Sequence, residues 1–262
     1  MVIQKKEKTS LTSRQAKEKK EPKEKKVKED KFEIKIEVMT EKGVHLGHKI
    51  SKLHPKMADF VVGIRNTVHI IDLKKTATCL KKALNFISEL SEKGEKMLLV
   101  GTKPPLRDLV EETARDCNLP YVSCRWLGGT FSNFKVISKR AKYYNDLKKE
   151  KTEGGFDKFS KKERQQKEKE LKELEKKFEG IKDLQELPKA VFICDVKTDK
   201  LALKEAVMKG VKVIAIVDTN VDPSLVDYPI PANDDAISSV KYILEKVKEV
   251  IKKSKIQNPN AK

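Results

Sequence analysis

The stretch Y-V-S-C-R-W-L-G-G-T-F-S-N-F, residues 121–134, contains the only tryptophan of the chain and reads as strand, bend and helix start. Tyr121 to Cys124 has the character of a short buried strand, Gly128-Gly129 of a backbone bend, and Ser132 is the expected N-cap of the next helix. Chemistry carried here therefore sits at a strand's carboxyl end. Arg125, Trp126, Phe131, Lys135, Lys139 and Arg140 mix cations with aromatics, and glycine lets a backbone approach a ligand closely. That combination suits phosphate and stacked bases. The competing reading makes Trp126 and Phe131 core residues and the glycines a plain turn.

Working outward, the same pattern repeats on both sides. Lys96 to Val100 is a buried strand, and Pro104 or Pro105 opens a helix to about Asp116. Ala190 to Cys194 is the next strand, followed by a helix through Leu203 and Val207 to Gly210. Val213 to Val217 and Tyr228 to Ile230 are further strands, and Asp234 or Asp235 caps a last helix through Ile237, Val240, Ile243, Leu244, Val247 and Ile251. Strands apolar on both faces, alternating with amphipathic helices, imply a parallel sheet covered by helices on each side.

The alternation breaks once, between Ser132 and Leu187. There a charged insertion carries Ile137, Ala141, Tyr144 and Leu147 in one run and Leu171, Leu174, Phe178 and Ile181 in the other, the second at the spacing of a coiled-coil seam. With Gly154-Gly155 between the runs, the insertion reads as two antiparallel helices projecting as an arm. The expected organisation is a lysine-rich disordered tail over 1–32, an α/β sheet domain over 33–131 and 186–253, the arm over 132–185, and a basic disordered tail over 254–262.

Before the sheet, Phe32, Ile34, Ile36 and Val38 alternate as in a strand, yet the run into Gly43 closes better as a short helix. Gly43-Val44-His45-Leu46-Gly47-His48 then reads as a binding loop. No carboxylate or cysteine stands at ligand spacing from the two histidines, so a hydrogen-bonding role outweighs a metal. Phe60 to Ile64 and Thr67 to Ile71 form a hairpin about Arg65-Asn66, and Asp72 caps a helix ending at Gly94.

The formal net charge of +18 makes polyanions the expected partners. No run reaches the roughly 18 apolar residues of a membrane span, and the acidic residues of the N-terminal segment argue against a mitochondrial presequence. Cys79, Cys117, Cys124 and Cys194 are scattered, as reduced core thiols would be. The carboxyl edge of the sheet would gather Gly101-Thr102-Lys103, Arg125 to Gly129, Asp195 and Asp218-Thr219-Asn220. The glycine run of a phosphate loop is missing there, and Asp195, Asp218 and Asp222 serve better as caps than as magnesium ligands. Among enzymes, a nucleotide-binding α/β protein is the alternative reading.

Several motifs occur in a fixed order: G-V-H-L-G-H at 43–48, F-V-V-G-I-R-N-T-V-H-I-I-D-L at 60–73, V-G-T-K at 100–103, R-W-L-G-G at 125–129, F-D-K-F-S-K-K-E at 156–163, A-I-V-D-T-N-V-D-P at 215–223 and I-P-A-N-D-D at 230–235. Together they resemble the small-subunit ribosomal protein S-two family, in its bacterial-type branch. The resemblance implies a flavodoxin-like three-layer α/β/α domain, strand order two-one-three-four-five, with a protruding helical hairpin. It also implies a cytoplasmic, ribosome-bound structural protein without enzymatic activity or cofactor. Such a protein would bind small-subunit rRNA between head and body, beside neighbouring ribosomal proteins, and support docking of ribosomal protein S-one for initiation. The segment before Lys31 exceeds the usual family start, and Thr130-Phe131-Ser132-Asn133 replaces a more common hydrophobic-Leu-Thr-Asn run. The expected RNA contacts are Lys49, Lys52, Lys56, Arg65, Lys103, Arg107, Arg125, Trp126, Lys135, Lys139 and Arg140, with shape rather than base sequence setting specificity.

Overall fold

β-Branched, doubly apolar runs become the centre of the molecule. The computed structural model describes residues 32–257, so the expectations for the N-terminal tail and for the last five positions lie outside the described residues. Met97–Val100 (β4), Tyr121–Val122 (β5), Ala190–Ile193 (β6), Lys212–Val217 (β7) and Tyr228–Pro231 (β8) form an all-parallel sheet in the order β5-β4-β6-β7-β8. Taken in chain order, this is the two-one-three-four-five arrangement. The strand in the 121–124 stretch is shorter than its sequence suggests, because pairing stops at Val122.

Helices cover both faces. Leu98, Val100, Val191, Ile193, Val213, Ala215 and Val217 share one buried cluster with Ala202, Leu203 and Ala206 of α6 (Lys200–Lys209). The alternate residues Leu99, Phe192, Ile214 and Ile216 turn to the other face, the side of α2 (Leu73–Glu92), α3 (Arg107–Cys117) and α7 (Ile237–Gln257). α7 runs past residue 253, where the sequence reading began the C-terminal tail. Its start is served by Asn233, whose Oδ1 accepts from the N–H groups of Asp235 and Ala236, rather than by Asp234 or Asp235.

Two smaller features frame the sheet. After α1 (Ile36–Glu41), the expected binding loop is in part a strand: β1 (Leu46–Lys49), β2 (Val61–Arg65) and β3 (Val68–Ile71) make an antiparallel ribbon in the order β1-β3-β2. The hairpin turns at Asn66-Thr67, one residue later than expected, with φ of 48° and 65° at the two positions, the left-handed backbone a two-residue hairpin turn demands. The insertion folds as α4 (Phe134–Thr152) and α5 (Lys161–Phe178), packed antiparallel, with Tyr143 bonded to Glu170 at 3.2 Å and Lys167 to Glu150 at 3.3 Å. The three-four-three seam is only partly helical, since α5 ends at Phe178 and Ile181 lies in the 3-10 turn Glu179–Ile181. Ala141, Tyr144, Leu147, Leu171 and Phe178 belong to the same buried cluster as the sheet, so the hairpin is rooted in the core.

Candidate nucleic-acid interface

The carboxyl edge of the sheet is a self-contained charge cluster. Lys103 Nζ lies 2.6 Å from Asp235, 3.2 Å from Asp195 and 3.5 Å from Asp234. Burial alone would lower its pKa, but these carboxylates, Asp235 foremost, hold it well above the usual lysine value. Burial pushes Asp234 up to about 7 and Asp199 up to about 6; Asp199 accepts from the Thr102 backbone and hydroxyl at 3.2 and 2.8 Å. Asp195 and Asp222 accept N–H bonds from the residues two positions on, the capping role expected of them. His48, Asp234 and Asp235 bring ligand atoms within 4.8 Å of one another, yet the Lys103 ammonium already neutralises that corner. Lys103 is thus committed to protein carboxylates rather than to a phosphate, in keeping with the missing glycine run and against its place among the expected RNA contacts.

Two other expected contacts are similarly engaged. Lys56 pairs with Asp222 at 2.8 Å and with the Ser224 hydroxyl at 2.6 Å. Arg107 donates to the carbonyls of Thr102 and Cys124 at 3.3 and 3.4 Å, tying the end of β4 to the 121–134 stretch.

Within that stretch the aromatics pack inward. Trp126 is 5% exposed and Phe131 1%, their rings meeting edge to face at 4.9 Å and 81°. No face of Trp126 is offered to a base, so its place among the RNA contacts is corrected to core. The bend, with Gly129 at φ 96°, serves a different partner: Glu205 of α6, only 5% exposed, accepts from the N–H groups of Gly129, Phe131 and Ser132 at 2.7, 2.9 and 3.2 Å. Ser132 is therefore not the cap of α4, which starts at Phe134 after Asn133. Sequence reasoning missed Glu205; its one signal was a carboxylate between Leu203 and Ala206 on an otherwise apolar helix face.

The remaining expected contacts are open. Lys49, Lys52, Arg65, Arg125, Lys135, Lys139 and Arg140 are exposed, and none pairs with a carboxylate among the described residues. Lys49 of β1 and Arg65 of β2 both register on Val68 of β3, which places them in one row across the ribbon on a common face. Lys135 and Lys139 lie one turn apart at the start of α4. The structure thus sorts the cations into an engaged group at the sheet edge and open groups on the ribbon and at the start of α4.

His48 fastens the ribbon to the sheet edge. Its N–H donates to the Thr219 hydroxyl at 2.9 Å, and its Nδ1 lies 3.1 Å from Asp218. The hydrogen bond to Asp218 raises the His48 pKa despite partial burial. A raised histidine stabilises fully below its unfolded value near 6.5 and loses that contribution as pH rises through the folded value. Asp234, raised by burial, also costs stability as pH climbs from about 4 to 7. The depressed Asp222, Asp227 and Glu179 act in the opposite sense only below about pH 4.5, and His45, lowered by burial and by Arg65, does so up to about pH 6.5. The urea midpoint is therefore expected to fall between about pH 6.5 and pH 8, and His48→Gln to flatten that fall. An unchanged profile in the variant would remove His48 as the source.

Comparison with known proteins gives a consistent result. The sequence model of the family described as ribosomal protein S2 matches residues 39–254. Small ribosomal subunit protein uS2 of Dictyoglomus thermophilum is 42% identical over 222 residues, covering 85% of this chain and 90% of that protein. The uS2 proteins of Dictyoglomus turgidum and Marinobacter nauticus are 42% and 41% identical over 218 and 215 residues, covering 83% and 82% of this chain and 89% and 86% of theirs.

Proposed function

Because the chain belongs to the ribosomal protein S2 family, whose members are structural ribosomal proteins and not enzymes, we propose that it binds small-subunit rRNA through its ribbon and the start of α4. The observation that carries this reading is the sorting of cations: Lys49, Lys52, Arg65, Arg125, Lys135, Lys139 and Arg140 are open, whereas Lys56, Lys103 and Arg107 are engaged within the protein. Phosphate contacts would position the protein, and the shape of irregular rRNA would select the site. In the assembled particle we place the chain between head and body, ribosome-bound in the cytoplasm, supporting the docking of ribosomal protein S-one. No helix among the described residues is long and apolar enough to cross a membrane. The segment before Lys31 would add sequence-independent affinity, and removing it should lower the salt slope of binding.

The test is the salt dependence of binding to small-subunit rRNA. Each neutralised phosphate contributes about 0.7 to 0.9 to the logarithmic slope, so Lys49→Ala with Arg65→Ala is expected to reduce the slope by about 1.4 to 1.8. Lys103→Ala should leave the slope unchanged. The reverse pattern, with Lys103 carrying the slope, would sink the assignment. Subunits depleted of the chain should also fail to retain ribosomal protein S-one and regain it on reconstitution.

A further inference from the structure

We propose that the outer face of α6, together with Leu225, is a docking surface for an acidic amphipathic helix of a partner protein. The exposed positions of α6 are Lys200, Leu201, Lys204, Val207, Met208 and Lys209, while its one acid, Glu205, points inward to hold the 129–132 backbone. Leu201, Lys204 and Met208 fall at i, i+3 and i+7, one stripe along the helix. Met208 is 72% exposed, Val207 58% and Leu225 52%, a concentration of open apolar surface that the sheet does not use. Val207, Val211, Leu225 and Val226 line a groove of about 280 Å³ between the end of α6 and the turn Pro223–Leu225. The groove also holds Ser224 and the ion pair of Lys212 with Asp227, 2.7 Å apart.

The chemistry of this face selects among occupants. RNA would engage the lysines but gain nothing from the apolar centre, which offers no aromatic or arginine to stack a base. A second copy would bring its own Lys200, Lys204 and Lys209 against these. A helix with an apolar stripe flanked by carboxylates satisfies both parts, its stripe entering the groove and its acids meeting Lys200, Lys204 and Lys209.

The test titrates the full chain with two fluorescein-labelled helical peptides that share one leucine stripe, flanked by glutamates in the first and glutamines in the second. The glutamate peptide is expected to bind at least about tenfold more tightly, and Met208→Gln combined with Leu225→Ser to weaken it about tenfold; Lys204→Glu should erase the preference between peptides. These positions are exposed, so unchanged circular dichroism is expected of each variant. Glutamate-peptide binding that survived the double variant would be attraction to the net charge alone and would overturn the proposal. So would a photo-cross-linking residue at position 208 that labelled rRNA in assembled subunits, or a sedimenting dimer dissolved by the double variant.

Discussion

Gly180→Ala is expected to cost about 3 kcal/mol or more of stability, at the upper end of what overpacking a core position does. A Cβ at this position would lie 2.2 Å from the Tyr121 carbonyl oxygen and 2.8 and 2.9 Å from two carbons of the Tyr121 ring. The oxygen belongs to the backbone of β5, which is held in the parallel sheet against β4, so it cannot rotate away as a side chain would. The 3-10 turn Glu179–Ile181 must lift instead. Phe178 and Ile181 would then leave the buried cluster, and Glu179 would lose its bond from Tyr144 and its 3.2 Å pairing with Lys148. The damage therefore falls on the root of the α4–α5 hairpin. Urea denaturation should show the lowered midpoint, and limited proteolysis should cut the hairpin faster at 154–160; wild-type values for both would refute the packing argument.

Glu205→Ala is expected to cost about 2 to 4 kcal/mol, because it removes the acceptor of three backbone donors, that of Phe131 buried and those of Gly129 and Ser132 part-buried, where a charge-assisted bond contributes about 1.5 to 3 kcal/mol. Glu205→Gln should fall between, since one oxygen still accepts while the new NH₂ faces the N–H groups it replaced as acceptor. The loop released holds Trp126 and Phe131, so native-state tryptophan fluorescence should shift red before global unfolding. On the proposed interface, binding to rRNA should weaken as well, because Arg125 and the start of α4 adjoin this loop. A variant of wild-type stability with unaltered fluorescence would show that the 129–132 donors find other partners.

Local pattern carried the secondary structure well where burial is two-sided. β6 and β7 are apolar on both faces, and Asp72 caps α2 through Lys74 and Lys75 as a short acid before an amphipathic run should. The reading failed where strand character is half exposed. β1 has the sequence character of a loop because its glycine and histidine hide a strand whose partner, β3, begins some twenty residues later. Ser132 has the residue type of a cap, but the loop bound to Glu205 runs on to Asn133 and the helix starts only at Phe134.

By itself, then, the sequence determined a parallel α/β sheet, its helical insertion and its basic character, since hydrophobic periodicity and net charge are local or additive properties, whereas the strand order two-one-three-four-five was implied only by the family resemblance. The tertiary structure alone decided which cations remain open. Lys103 resembles Lys49 in sequence, but folding brings Asp235 to it from 132 positions away, and Glu205 reaches Phe131 across 74. Charge compensation and backbone satisfaction depend on distance in space, so residues of one type along the chain become an engaged ion in one place and an open cation in another.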